Sequence, residues 1–207
     1  MNIFDKYYKD YDNWYDENKE LYQLEIEVIK RVLPVFNKGI EIGVGTGRFA
    51  KELNIEFGLE PSEKMASIAR ERGIKVSIGK AEDIPFEDNS FDLVLLTTTI
   101  CFLEDIQKSF KEIYRILKNG GTLVNAFVNK DSHLGQKYLK KNSVYYKNAK
   151  LYSLNEVLNI LESFKFKVLG VYETMFEDNM FKIEKGPINL GGFVVIKSIK
   201  IWDLKLK

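Results

Sequence analysis

Between residues 39 and 128, short apolar runs alternate with amphipathic helical stretches, and this alternation constrains the fold more than any other feature. A strand that returns through a helix to a second strand builds a parallel sheet with helices over its faces. The pattern predicts strands near 39–43, 55–60, 74–78, 91–97 and 120–128, with helices near 47–53, 62–72 and 104–118. The last helix runs into Asn119-Gly120-Gly121, which is turn chemistry. After a long irregular stretch, Ser153 and Glu156 are spaced as a capping box that opens a helix through about Phe164. Two further β runs follow, Lys167 to Tyr172 and Gly192 to Lys197, and the long connection between them suggests an antiparallel pair at the sheet edge. The expected architecture is α/β: a Rossmann-like, mostly parallel seven-stranded sheet with one antiparallel edge strand.

Upstream of this region the period is helical. Phe4, Tyr7, Tyr8, Tyr11, Trp14 and Tyr15 recur at three- and four-residue spacing, and Leu21, Leu24, Val28, Ile29 and Val32 do the same until Pro34 ends the run. A helical cap over 1–37 and a Rossmann-like core over 38–207 then make one domain, for which 207 residues at 45% hydrophobic supply enough core. The charges nearly cancel, 31 basic against 30 acidic, so the molecule projects no strong field toward a polyanion or a membrane. Only 5 of the basic residues are Arg, a poor supply of the forked side chain that grips phosphates, which argues against nucleic acid as a partner. Cys101 and His133 are each the sole residue of their type, which rules out an internal disulfide and a Cys/His zinc site, and no metal is expected. The charged, aromatic N-terminal stretch reads as neither signal nor anchor, so a cytoplasmic location is expected.

Two motifs carry chemistry. Gly39-Ile40-Glu41-Ile42-Gly43-Val44-Gly45-Thr46-Gly47-Arg48 is a strand running into a glycine turn and then a helix. Bare backbone at such a turn lets a nucleotide-like ligand lie close, and the helix start offers free N–H donors. A dinucleotide fingerprint would put its third glycine where Arg48 stands, and a pyrophosphate would be repelled by Glu41. The same carboxylate can hold the ammonium of an adenosine cofactor with an amino acid tail, directly or through water. The second motif, Ile55 to Ser62, is a strand ending on Glu60, where a carboxylate can accept hydrogen bonds from both ribose hydroxyls. A tight turn that binds nothing, and a Glu60 that merely favours the next helix start, are the bland readings of the same residues.

Together with Ala81-Glu82-Asp83-Ile84-Pro85-Phe86, Asn89 to Val94 and Glu112 to Gly121, these motifs resemble the class I S-adenosylmethionine-dependent methyltransferases, in the small-molecule branch near the ubiquinone-biosynthesis type. The resemblance implies S-adenosylmethionine as cofactor and a small-molecule methyl acceptor. It implies that Glu41 and the turn Gly43, Val44, Gly45, Thr46 and Gly47 hold the methionine end. Glu60 with Pro61 would hold the ribose, Ser62 and Met65 the adenine or ribose flank, and Ala81 and Glu82 the adenine edge. Thr97 and Thr98 would lie near the sulfonium, and Tyr11 would touch the methionine moiety from a lid made by the N-terminal helices. Tyr15, Cys101, Phe102 and His133 would face the acceptor. Where relatives often place an acid, this chain has Lys80, which cannot accept a hydrogen bond from the adenine amino group. A stretch from Lys137 to Tyr152 interleaves Lys and Tyr, a pattern open to an acidic metabolite or single-stranded RNA, or to Lys stems covering rings. The alternatives are an NAD(P)-dependent oxidoreductase, a non-catalytic S-adenosylmethionine-binding protein and an RNA methyltransferase. Oligomeric state and acceptor atom are not encoded in any of these patterns.

Overall fold

A computed structural model describes residues 3–140, 144–177, 180–187 and 191–201. The chain opens with three helices, α1 (Ile3–Lys6), α2 (Tyr8–Glu17) and α3 (Lys19–Val32), where the periodicity predicts two. The break falls at Tyr7. The core then runs β1 (Gly39–Ile42), α4 (Arg48–Glu52), β2 (Phe57–Glu60), α5 (Glu63–Glu71), β3 (Lys75–Ile78), β4 (Phe91–Thr97), α6 (Ile106–Ile116) and β5 (Leu117–Val128). It ends with α7 (His133–Lys140), α8 (Leu154–Ser163), β6 (Phe166–Glu177), β7 (Met180–Lys185) and β8 (Phe193–Lys200).

These strands form one eight-stranded sheet in the order β3-β2-β1-β4-β5-β8-β6-β7. The five strands from β3 to β5 are mutually parallel, as the βα alternation requires. The expected antiparallel pairing of the last two β runs is present, β6 against β8, but β8 lies inside the sheet and is also antiparallel to β5. The edge belongs to an eighth strand, β7, which folds back on β6 as a hairpin. The expected Rossmann-like, mostly parallel α/β sheet with an antiparallel edge is what the chain forms; among the described residues it has eight strands where seven were expected, the additional one being β7.

Each face of the sheet is covered. Ile40, Ile42, Val94, Leu96, Leu123 and Phe127 meet Phe110, Ile113 and Ile116 of α6 and Leu154, Val157 and Leu161 of α8. On the other face Leu93, Leu95, Val124, Ala126 and Val195 meet Val28, Ile29 and Val32 of α3 and Phe49 and Ala50 of α4. Fully burying a side chain of this size stabilises by about 1.5–3 kcal/mol, so either layer alone commits the sheet to two-sided packing. The expected capping box of Ser153 and Glu156 opens α8, and two further helix starts are capped, Ser62 accepting from Met65 N–H and Asp105 from two N–H groups of α6.

Arg115 explains why two separate motifs travel together. Its guanidinium donates to the carbonyls of Ile84 and Phe86 and pairs with Glu112, while Glu112 accepts from Ile84 N–H. The 81–86 loop is thereby fixed over the end of β3, where it meets the strand tips.

Candidate functional site

At the carboxyl ends of the parallel strands the chain turns sharply from β1 into α4. Gly43 and Val44 donate to Leu59 carbonyl at 2.8 and 3.0 Å, which lays the turn against β2. Gly45 has φ +56°, a left-handed conformation that costs a glycine little, and a Cβ there would come no nearer than 3.7 Å to Met65 and Tyr11. Its backbone therefore faces open space. Gly47 serves differently: a Cβ there would stand 3.0 Å from Ala69, so the glycine lets α4 and α5 pack closely.

Glu60 closes β2 and is 5% exposed. Its two carboxylate oxygens accept from Gly45 N–H and Ser62 N–H, both at 2.9 Å, so the acid is clamped between the turn and the start of α5. Burial raises its pKa, partly countered by those two donors, and each oxygen keeps a further lone pair to offer. Glu41 lies buried one strand over. Burial pushes its carboxyl up to about 8 against the opposing pull of Thr97 and Ala50, and no contact of good hydrogen-bond geometry reaches its Oε2 or Thr97 Oγ1.

A cavity of about 1020 Å³ opens over these groups. Its floor is Ile42, Gly43, Gly45, Leu59, Glu60, Thr97 and Thr98. Thr98 has φ +53°, a genuine outlier for a β-branched residue, and its N–H donates to Ala126 carbonyl. One wall is Pro61, Met65 and Gly79 to Glu82; the far wall, Thr99, Cys101 to Glu104, Val144, Lys147 and Lys150, joins it where Glu104 meets Lys80 and Glu82. The roof comes from Ile3, Phe4, Lys6, Tyr7 and Tyr11. Roof and far wall are joined, since Tyr145 hydroxyl donates to Tyr7 carbonyl at 3.0 Å and Phe4 packs edge-on to Phe102 at 5.0 Å.

Of the residues singled out in sequence, Tyr11, Gly43, Gly45, Glu60, Pro61, Met65, Ala81, Glu82, Thr97, Thr98, Cys101 and Phe102 line this one cavity. Seven others do not. Glu41 is buried under the turn, Val44 packs against Gly58, Thr46 donates to Asp12, and Gly47 faces α5. Ser62 Oγ caps α5 and donates to Asp5, while Tyr15 is buried in the core with its hydroxyl 2.9 Å from that of Tyr11. His133 is exposed at the first turn of α7, outside the lining, which corrects its expected place at the acceptor. Burial pushes the Cys101 thiol up to about 12, so it presents a neutral, unreactive sulfur. Tyr11 is likewise raised above its usual range, by burial first.

Lys80 is neutralised rather than exposed to the cavity as a lone cation. It pairs with Glu104 at 2.8 Å across the cavity mouth, and Glu82 Oε1 is taken by Glu104 N–H, Asp105 N–H and Ser109 hydroxyl. The contact that sequence reading missed altogether is the clamp at the other end. Asp12 accepts from Arg48, Arg72 and Thr46, which straps α2 across the glycine turn. Burial works against its charge, but the two guanidiniums hold its pKa well below the carboxylate range. The partners lie 36 and 60 residues away, so no local spacing announces them. Among the described residues no group of acids, His and Cys is arranged to hold a metal, and no helix is long and apolar enough to cross a membrane.

Comparison with known proteins places this geometry in context. Residues 40–125 match the family model described as a methyltransferase domain. A crystal structure from Thermotoga maritima, described as an S-adenosylmethionine-dependent methyltransferase and possible histamine N-methyltransferase, is 41% identical, covers 96% of this chain and 98% of its own, and superposes with a TM-score of 0.90. An uncharacterised protein of Methanocaldococcus jannaschii is 45% identical over 206 residues, 97% of this chain and 100% of that protein. Phosphoethanolamine N-methyltransferase 2 of Caenorhabditis elegans is 34% identical over 155 residues, 66% of this chain but only 34% of that longer protein.

Proposed function

The chain belongs to the class I S-adenosylmethionine-dependent methyltransferases, and from that premise we propose that its methyl acceptor is a small molecule held in the cleft beneath the N-terminal cap. The observation that carries this reading is the closure of the cleft. Roof and far wall are bonded to each other through Tyr145 and Tyr7, leaving about 1020 Å³ for cofactor and acceptor together, a volume suited to two small molecules and not to a folded polymer. The near-zero net charge supports the same class of acceptor. Two relatives, one described as a possible histamine N-methyltransferase and one as a phosphoethanolamine N-methyltransferase, support nitrogen as the accepting atom.

The residues present fit the cofactor. Burial of Glu41 is only partly offset by Thr97 and Ala50, and its Oε2 has no partner of good geometry, so an ammonium reaching it through water would complete the group. We assign Glu60 to the two ribose hydroxyls, Gly43 to Gly47 to the methionine end, Met65 and Ala81 to the adenine faces, and Tyr11 to the sulfonium side of the roof. Ser62, Thr46 and Val44 then act by holding Glu60, the cap and the turn in place. The ubiquinone-type branch suggested by the motifs adds nothing that these contacts use.

When bound, the cofactor supplies an already activated methyl group, so the protein's part is alignment and exclusion of water. Tyr11, Phe4 and Phe102 shield the centre from solvent, and the Asp12 clamp holds the roof that carries them. Among the described residues, Cys101 is raised to about 12, Tyr11 is raised by burial, and Glu82 is engaged in hydrogen bonds, so none of these three is poised as a general base. The chain's residues therefore suit an acceptor that presents its lone pair without their help. Glu60→Gln keeps one accepting oxygen for the turn and should weaken S-adenosylmethionine binding by about 1–3 kcal/mol in calorimetry. Binding unchanged in that variant removes the ribose assignment. Labelled methyl transfer across amines, phenols, quinols and RNA tests the acceptor class, and RNA as the only methylated arm would overturn it.

A further inference from the structure

Seven charged side chains line the cleft, four lysines and three acids, and the two signs are unevenly placed. The three acids are all engaged: Glu60 by two N–H groups, Glu82 by Glu104, Asp105 and Ser109, and Glu104 by Lys80. Of the four lysines only Lys80 has an ion-pair partner among the described residues. Lys6, Lys147 and Lys150 have none, and the first and last rest over the rings of Tyr7 and Tyr152 at 5.0 Å. All three sit on the roof and far wall, the two segments that Tyr145 ties together, and none on the side of Glu60. A chain of net charge +1 has no general excess of positive charge to produce this by default. Between these lysines and the strand ends the surface is aromatic, through Phe4, Tyr7 and Phe102.

We infer that the acceptor carries an anionic group, a carboxylate or phosphate, which Lys6, Lys147 and Lys150 receive at the mouth while its methyl-accepting end enters between the rings. The inference rests on reading this cleft as the acceptor site. Three ammonium groups that form no salt bridge among the described residues, gathered on one side of the opening, favour an anion there, and their exposed position makes the attraction fall with salt. It also gives the Lys and Tyr interleaving of 137–152 a function at its described end; Lys141 lies outside the described residues.

The test is labelled methyl transfer with matched pairs that differ only in the anion: phosphoethanolamine against ethanolamine, and histidine against histamine. S-adenosylmethionine binding is measured alongside by calorimetry. The expected result is kcat/KM at least about tenfold higher for an anionic member, a preference that shrinks at high salt and collapses in the triple variant Lys6→Gln, Lys147→Gln, Lys150→Gln while cofactor affinity stays as it was. Loss of cofactor binding in the unaltered protein would sink the cleft reading itself. Cofactor binding with the neutral or cationic members preferred, with no pair methylated, or with an anion preference that survives the triple variant, would overturn the charge inference and leave the cleft standing.

Discussion

Glu41 holds a proton at neutral pH in the free protein, because burial lifts its carboxyl to about 8. If the cofactor's ammonium docks there, the carboxylate must ionise first, so binding releases that proton. Affinity should then weaken by up to tenfold for each pH unit below about 8, and Glu41→Gln should abolish this dependence. Calorimetry in buffers of different ionisation enthalpy reads the released proton directly; equal heats in all buffers would exclude the contact. At the same scale, Gly45 is a poor probe. Its φ of +56° strains any side chain, above all a β-branched one, so a Gly45→Val variant that fails to bind says little about contact. Glu60 and the glycine turn were legible in sequence because they are local: a strand, its last residue and the next turn. Glu41 was legible as a residue, but its depth was not: it is buried beside Ile42, which faces the cavity, as the alternation of a strand requires.

At the scale of elements, α2 is held by the ring packing of Tyr11, Trp14 and Tyr15 and by a polar strap. Only Tyr15 of that helix is buried, while Asp12 gathers two guanidiniums and a hydroxyl. Asp12→Ala should cost about 2–3 kcal/mol of stability and loosen the cap, read as earlier thermal unfolding and faster proteolysis ahead of residue 19. A change within a few tenths of a kcal/mol would show that packing alone holds the cap. Because the folded pKa of Asp12 is depressed, the strap is intact above the ordinary carboxylate range and is lost only as pH falls through its lowered value. The elements missed in sequence have physical reasons. Helix α7 carries Gly135, which reads as a breaker, yet a Cβ there would fall 2.1 Å from Asn129 carbonyl, so the approach demands glycine. Strand β7 is a hairpin edge, and an edge strand needs few apolar residues to be held.

For the whole molecule, two buried acids make stability depend on pH in an unusual direction. Glu25, on the inner face of α3, is 5% exposed and pushed by burial to about 8, as Glu41 is. Both bind protons more tightly folded than unfolded, so their stability contribution is complete below about pH 4 and is lost as pH rises toward 8. Each adds a slope of up to about 1.4 kcal/mol per pH unit across that window. Glu25→Gln should roughly halve the combined slope in denaturant titrations from pH 5 to 8, and an unchanged slope would place the titration elsewhere. The parallel half of the sheet was readable because each βα unit is short and self-announcing. The place of β8 was harder, although Phe193-Val194-Val195-Ile196, all buried, is the continuous apolar run of a strand covered on both faces.

That strand follows every other in the chain and still lies between β5 and β6, hydrogen-bonded to both. During synthesis the five parallel strands can assemble as they emerge, but they and the β6–β7 hairpin must wait as two pieces with raw margins. Only when residue 200 leaves the ribosome can the final segment slide between them and weld the halves, so a transcript cut short there would yield a sticky, unfinished product rather than a smaller enzyme.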